Sequence, residues 1–306
     1  MKKLFLLFLL GTAPLLASEE KNLEISKEKK TKINTQNTLN KKEIKFVTKT
    51  MIDLCKNCDY PKNNEDAKIN TNNFTLFHDK INGYFLKYTG DSAIDTFLGA
   101  FKKLPEITGT IECKVAADIV QKLLLFEKLG DAAFKKHILD IKTLFSQKNS
   151  FNTIGLSYIS FSNAFLKVIR EKEHKGKATA FYEITETPTV GASCSIKNIK
   201  DYFTYRDGGS WQGFNVFYVG KNKLDEDLYI GFVEECQNGP ITLSQIYTLF
   251  YNDLKQSEKF REDYKNKEAF VEALEKEREN APFKYIYIND EKIKKYKEKA
   301  GKNKKN

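Results

Sequence analysis

The residues best equipped for covalent chemistry are five cysteines, at 55, 58, 113, 194 and 236, and three histidines, His78, His137 and His174. Cys113 stands out by position. It follows Gly109-Thr110 and opens an apolar run in which Val115, Ala116, Ile119, Val120, Leu123 and Leu124 recur at three-and-four spacing. That spacing predicts a helix over Glu112 to Leu129 with the thiol in its first turn. A helix N-terminus carries partial positive charge, which favours the reactive thiolate. The alternative for a cysteine at such a place is a buried structural residue. Cys55-Lys-Asn-Cys58 has the spacing of a redox pair or half a zinc site. No second pair with metal-ligand spacing follows it, so a small local disulfide is expected rather than zinc, and no cofactor is implied. His137 falls near the stripe of a second helix, and His174 lies in the charged run Glu171-Lys-Glu-His-Lys. His78 precedes the thiol helix. Glu234 and Glu235 are expected at a strand end, facing water.

The elements that must position these groups follow from the same pattern. A second helix begins at Asp131, with Phe134, Ile138, Ile141 and Phe145 as its stripe. A third follows Asn238-Gly239-Pro240, where Thr242 and Gln245 match a capping box and Ile246, Leu249, Phe250 and Leu254 form the apolar face. Ser257 to Asn280 reads as one charged surface helix. Between the second and third helices the pattern turns to strand, at Phe181 to Ile184, Ser195-Ile196, Asn215 to Val219 and Leu228 to Val233. The polar link from Gly220 to Asp227 makes the last two a hairpin. A cysteine-bearing helix followed by an antiparallel sheet indicates an α+β domain.

Several segments, taken in order, resemble one family. Ser92-Ala-Ile-Asp95 and Thr108-Gly-Thr-Ile-Glu-Cys113-Lys-Val-Ala-Ala117 are similar to the nucleophile region of the spore-coat type protein-glutamine gamma-glutamyltransferases of spore-forming bacteria, where Glu-Cys-Ala-Thr-Ala opens the helix with the active thiol. Leu129 to Phe134 and Val190 to Asn198 continue the match. Trp211-Gln-Gly213 stands where that family has Trp-Gln-Gly-Glu-Asn, and Leu228-Tyr-Ile-Gly231 where it has Leu-Tyr-Tyr-Gly-His-Gly. The resemblance spans roughly Ser92 to Phe250. It implies a papain-like (NlpC/P60-like) transglutaminase-type domain, with the nucleophile helix packed on an antiparallel sheet. It also implies a Cys, a Glu and a His drawn together. Cys113 is then the candidate nucleophile and Glu112 a supporting neighbour. The Glu position is filled by Phe214 and the His position by Phe232, and neither can take a proton. Trp211, Gln212 and Tyr229 are expected as groove-wall residues, with the core as the alternative for the two aromatics.

Residues 1–17 read as a secretory signal peptide: Lys2 and Lys3, the apolar run Leu4 to Leu10, a break at Gly11 to Pro14, and Ala17 at the cleavage point. The run is far short of the roughly 20 residues that span a bilayer. No transmembrane segment is expected, and the chain is expected in the periplasm or secreted. The formal net charge is +10, and it sits at the ends. Lys2, Lys3, residues 19–50 and residues 291–306 carry the excess, leaving residues 51–290 slightly acidic. No basic and aromatic module for nucleic acid appears in the body, so a nucleic-acid partner is not expected. The expected organisation is a polar linker over 18–73, a transglutaminase-like domain over 74–288 and a disordered basic tail over 289–306. Two functions follow: a catalytically reduced relative that binds a protein or peptide partner, or an active cysteine acyltransferase. A cell-wall amidase or peptidase is a third option.

Overall fold

The computed structural model describes residues 39–61, 67–71, 73–79, 83–90, 93–145, 166–169, 190–207, 211–280 and 284–302. The segment expected as a signal peptide, the strand expected at 181–184 and His174 lie outside them.

The first element corrects the sequence reading. Lys41–Asn57 (α1) is a helix, where a linker was expected. Asn40 caps it, accepting from the Lys42 and Glu43 N–H groups at 3.0 Å, while Glu43 returns a bond to the Asn40 N–H at 2.9 Å. Val47, Met51 and Leu54 form a stripe with no solvent exposure. Five lysines in 17 residues mask that stripe in the sequence, but they lie on the other faces.

Short strands follow: Cys58–Asp59 (β1), Lys68–Asn70 (β2), Phe74–Asp79 (β3) and Gly83–Tyr88 (β4). Ile94–Lys102 (α2) buries Phe97, Leu98 and Phe101, and Thr108–Thr110 (β5) leads into the cysteine helix. β5 lies between β1, its parallel neighbour, and antiparallel β2. Gly109 has φ +122°, and a Cβ there would lie 2.3 Å from the Lys68 carbonyl oxygen. Only glycine lets β2 cross so close to the approach to Cys113.

Cys113–Leu129 (α3) matches the expected helix and ends at Gly130, φ 75°. It is buried nearly all round, as befits a central helix. Asp118 and Lys122 lie a turn apart on it. Burial pushes the Asp118 carboxyl up and the Lys122 ammonium down, and each group's charge opposes the shift of the other. Asp131–Phe145 (α4) follows at once, with Phe134 and Ile138 in the core. The Phe134 ring meets Phe126 edge-on at 4.9 Å.

The remaining elements are Leu166–Ile169 (β6), Ser193–Lys197 (β7), the short helix Tyr202–Tyr205 (α5), Gly213–Lys221 (β8), Asp227–Gly231 (β9), Ile241–Thr242 (β10), Leu243–Leu254 (α6), Glu258–Asp263 (α7), Lys267–Asn280 (α8), Lys284–Ile288 (β11) and Asp290–Lys302 (α9). Six strands form one antiparallel sheet in the order β10-β9-β8-β7-β11-β6. The β8–β9 hairpin turns at Asn222, whose side-chain oxygen accepts from the Leu224 and Glu226 N–H groups. The chain leaves β9 one residue before Phe232 and enters a 3-10 turn, Glu234–Asn238. The Thr242–Gln245 capping box is present as read.

Two further differences concern the C-terminal part. The single helix expected over Ser257 to Asn280 is two helices. Ser257 caps α7, and Asn266 accepts from the Ala269 N–H near the start of α8. The break lets Phe260, Tyr264 and Phe270 pack ring against ring at 5.0–5.6 Å. The tail expected over 289–306 carries α9 as far as Lys302. Asn289 caps this helix, Ile293 is buried, and the Tyr296 ring lies 5.5 Å from that of His137 on α4. One buried cation ties both unexpected helices to the core. Lys128 Nζ lies 2.8 Å from Glu43 of α1 and 2.8 Å from Asp290 of α9.

Candidate functional site

Cys113 is the first helical residue of α3, and its Sγ is brought against β8. Glu112 precedes it as N-cap, in extended conformation (φ −85°, ψ 156°), and its side chain makes no capping bond. The residue that meets the sulfur is Asn215. Its Nδ2 donates to Cys113 Sγ at 3.3 Å. The backbone N–H groups of Asn215 and Lys114 also favour the thiolate.

These donors do not win. Cys113 is 8% exposed, and burial pushes its thiol up from the ordinary value. The Asn215 N–H groups pull it down, the Glu112 carboxylate pushes it up, and the Lys114 N–H pulls it down a little. At neutral pH the group is a thiol. An amide can hold a thiolate, but it cannot accept the thiol's proton.

Alternation along β8 sends Phe214 and Asn215 to opposite faces of the sheet. Phe214 is buried against β9. A Cβ on Gly231 would lie 2.5 Å from its Cζ, so glycine is what leaves room for the ring. Phe232 is buried just past β9 and stacks on Tyr60 at 6.3 Å. Tyr60 also stacks on Trp211, at 6.0 Å with 23° between the planes. Tyr60 is a residue that the sequence analysis did not single out. Its place is set by β1, because Asp59 pairs with Thr110 and its carbonyl accepts from the Ile111 N–H, two residues before Cys113.

Trp211 is half-buried and held on several sides. Its N–H donates to the Tyr202 hydroxyl at 3.1 Å, and its carbonyl accepts from Asn198 Nδ2 at 2.9 Å. Tyr202 in turn donates to Asp253 at 2.8 Å, and Arg206 pairs with Asp253 at 3.0 Å. Its ring lies 5.8 Å from Phe214 and 6.2 Å from Phe250. Gln212 is exposed, and its carbonyl accepts from the Asn198 N–H. Tyr229 is core rather than groove wall, buried with its ring 5.5 Å from Tyr218.

The other candidates sit on elements other than α3 and β8. His137 is buried on α4 against Tyr296. His78 lies in β3, paired with Tyr84 in register. Glu234 and Glu235 are exposed on their 3-10 turn, as expected. The Cys55–Cys58 disulfide is not formed, and all five cysteines are thiols. Cys55 Sγ donates to the Gly231 carbonyl at 3.4 Å and Cys58 Sγ to the Ile107 carbonyl at 3.2 Å, so the two sulfurs serve different partners. Burial pushes Cys55 up to about 11, and Cys58 and Cys236 up to about 12. Among the described residues, no group of three or more His, Cys, Asp or Glu side chains is arranged to hold a metal ion. No helix among them is long and apolar enough to cross a membrane.

No family model matches the chain, and no curated protein matches it. Among solved structures, the chain is similar to a transglutaminase from Geobacillus stearothermophilus (without its C-terminal extension). Identity is 15% and the TM-score 0.42, over 84% of this chain and 98% of that one. At that level the similarity transfers no residue role and no activity.

Proposed function

We propose that the chain is an exported, transglutaminase-like protein with a papain-like domain, in which Cys113 is catalytically reduced and the body binds a protein or peptide partner. The observation that supports this is the partner of the sulfur. Cys113 is buried, its thiol is pushed up by burial, and its side-chain partner is an amide, Asn215. A thiol nucleophile needs a group that takes its proton within hydrogen-bond reach, and an amide does not supply one. Phenylalanine at 214 and 232 supplies none either.

The test is alkylation of the native protein by iodoacetamide near neutral pH, read site by site by mass spectrometry, beside incorporation of a fluorescent primary amine into a glutamine-bearing protein. The expected result is slow labelling of Cys113, at least about tenfold below a free cysteine, and no amine incorporation. Rapid labelling at Cys113 alone, with incorporation lost in Cys113→Ala, would establish the acyltransferase alternative. There the thiol attacks a glutamine amide, ammonia leaves, and the acyl group passes to a lysine amine or to water. N-terminal sequencing of the mature protein should begin near Ser18, and an intact Met1 in a cytoplasmic fraction would remove the export proposal.

A further inference from the structure

The basic character seen at the chain's two ends is carried, where the structure describes it, by two ordered helices that share one anchoring cation. α1 and α9 both start at Lys128, whose Nζ lies 2.8 Å from Glu43 in the first turn of one and 2.8 Å from Asp290 in the first turn of the other. Each helix turns its apolar residues inward: Val47, Met51 and Leu54 from α1, Ile293 from α9. What remains outside is mostly lysine, with Glu291 and Glu298 also exposed on α9 and Lys49 paired with Asp53 on α1. Lys41, Lys45 and Lys49 are exposed on α1, and Lys294, Lys295 and Lys299 on α9. At 1.5 Å per residue the helices are about 25 and 20 Å long. Residues 51–290, by contrast, are slightly acidic in sum.

We infer that the outer faces of α1 and α9 are a docking surface for an anionic phospholipid bilayer. The residue types select this partner. Neither helix contains an arginine, so there is no planar fork for bidentate recognition of fixed phosphates. Their aromatic residues, Phe46 and Tyr296, pack against the core, so neither offers a stacking platform for bases. Hydrated point charges spread over two helices suit a fluid, uniformly negative plane. With the apolar stripes already buried, adsorption is electrostatic and does not involve insertion.

The test is sedimentation of the full chain with vesicles of phosphatidylcholine alone or mixed with phosphatidylglycerol. The readout is the ratio of the two partition coefficients, compared between the unaltered chain and a variant of the two helices, so that the contributions of Leu4 to Leu10, Lys2, Lys3 and the lysines before residue 39 cancel. Each lysine near an anionic surface contributes about fivefold, so Lys41→Gln, Lys45→Gln, Lys294→Gln and Lys295→Gln together should lower that ratio at least about a hundredfold. Raising salt from about 50 to about 500 mM shortens the screening length severalfold and should collapse the ratio for the unaltered chain as well. An unchanged thermal melt establishes that the variant is folded. Equal partition onto both vesicles, or a ratio indifferent to salt, would overturn the inference. So would release from anionic vesicles by duplex DNA at equal phosphate concentration, which would make the surface a nucleic-acid one.

Discussion

Replacing Lys128 by methionine should release both ends of the chain from the core. Methionine keeps most of the stem's volume and removes the charge that Glu43 and Asp290 share. At an effective dielectric of about 20, a unit-charge contact at 2.8 Å amounts to about 6 kcal/mol before desolvation. Most of that is cancelled by taking the groups out of water. Lys128 is 7% exposed and Glu43 18%, so this pair behaves as a buried one, whose breakage costs about 3–5 kcal/mol at full burial. Asp290 is 43% exposed, and its share is screened to below about 1 kcal/mol. Allowing for the residual exposure of Glu43, Lys128→Met should cost about 2–4 kcal/mol, measured by urea unfolding. Adding Glu43→Gln and Asp290→Asn should restore at least half, because the uncompensated carboxylates are then gone and glutamine still completes the α1 cap. Limited proteolysis should cut the single variant first within α1 or α9. A Lys128→Met protein within about 0.5 kcal/mol of wild type would refute the reasoning, and so would a triple variant no more stable than the single one.

Three further outcomes are expected. Gly231→Ala should cost about 1–3 kcal/mol, because the new methyl would lie 2.5 Å from the Phe214 ring and 2.8 Å from Val216; Phe214→Leu in the same chain should return part of it in thermal melts. Thr242→Ala removes the oxygen that accepts the Gln245 N–H, and should lower stability by about 1 kcal/mol with the loss seen in the α6 amides by hydrogen exchange. Stability should fall as pH rises above about 9: the thiols deprotonate there when unfolded, whereas folding holds Cys55 up to about 11 and Cys58 and Cys236 up to about 12, so the native state binds more protons. The slope is up to about 1.4 kcal/mol per pH unit for each thiol, and urea midpoints constant from about pH 8.5 to 10.5 would contradict it.

What could be read in advance depended on how local the signal was. The α3 helix, the β8–β9 hairpin and the α6 cap rest on spacing, turn residues and a capping pair, each contained within a short window. α1 and α9 were missed for the opposite reason. Their stripes are short, at 47, 51 and 54 and at 293, and most of their other residues are charged, so composition pointed to solvated tails. What holds α9 is a cation contributed from more than 160 positions away, which no window contains. At the site, Cys113 was legible as a helix-start thiol, whereas the role of Asn215 was not. Its significance lies in the sheet register, which sets it on the sulfur while Phe214 takes the other face. Tyr60 was invisible for the same reason. Only the pairing of β1 with β5 carries it to Trp211 and Phe232.

The position of β11 and α9 has a consequence in time. β11 is the next-to-last of the described elements, yet it lies inside the sheet, bridging β7 and β6. α9, the last of the described elements, shares its anchoring cation with α1, the first of them. Neither the sheet nor the Lys128 cluster can close until residues beyond 284 have left the ribosome. Until then the sheet lacks the strand that joins β7 to β6, and Lys128 lacks one of its two carboxylates. Long-range closure of this kind slows folding once it begins.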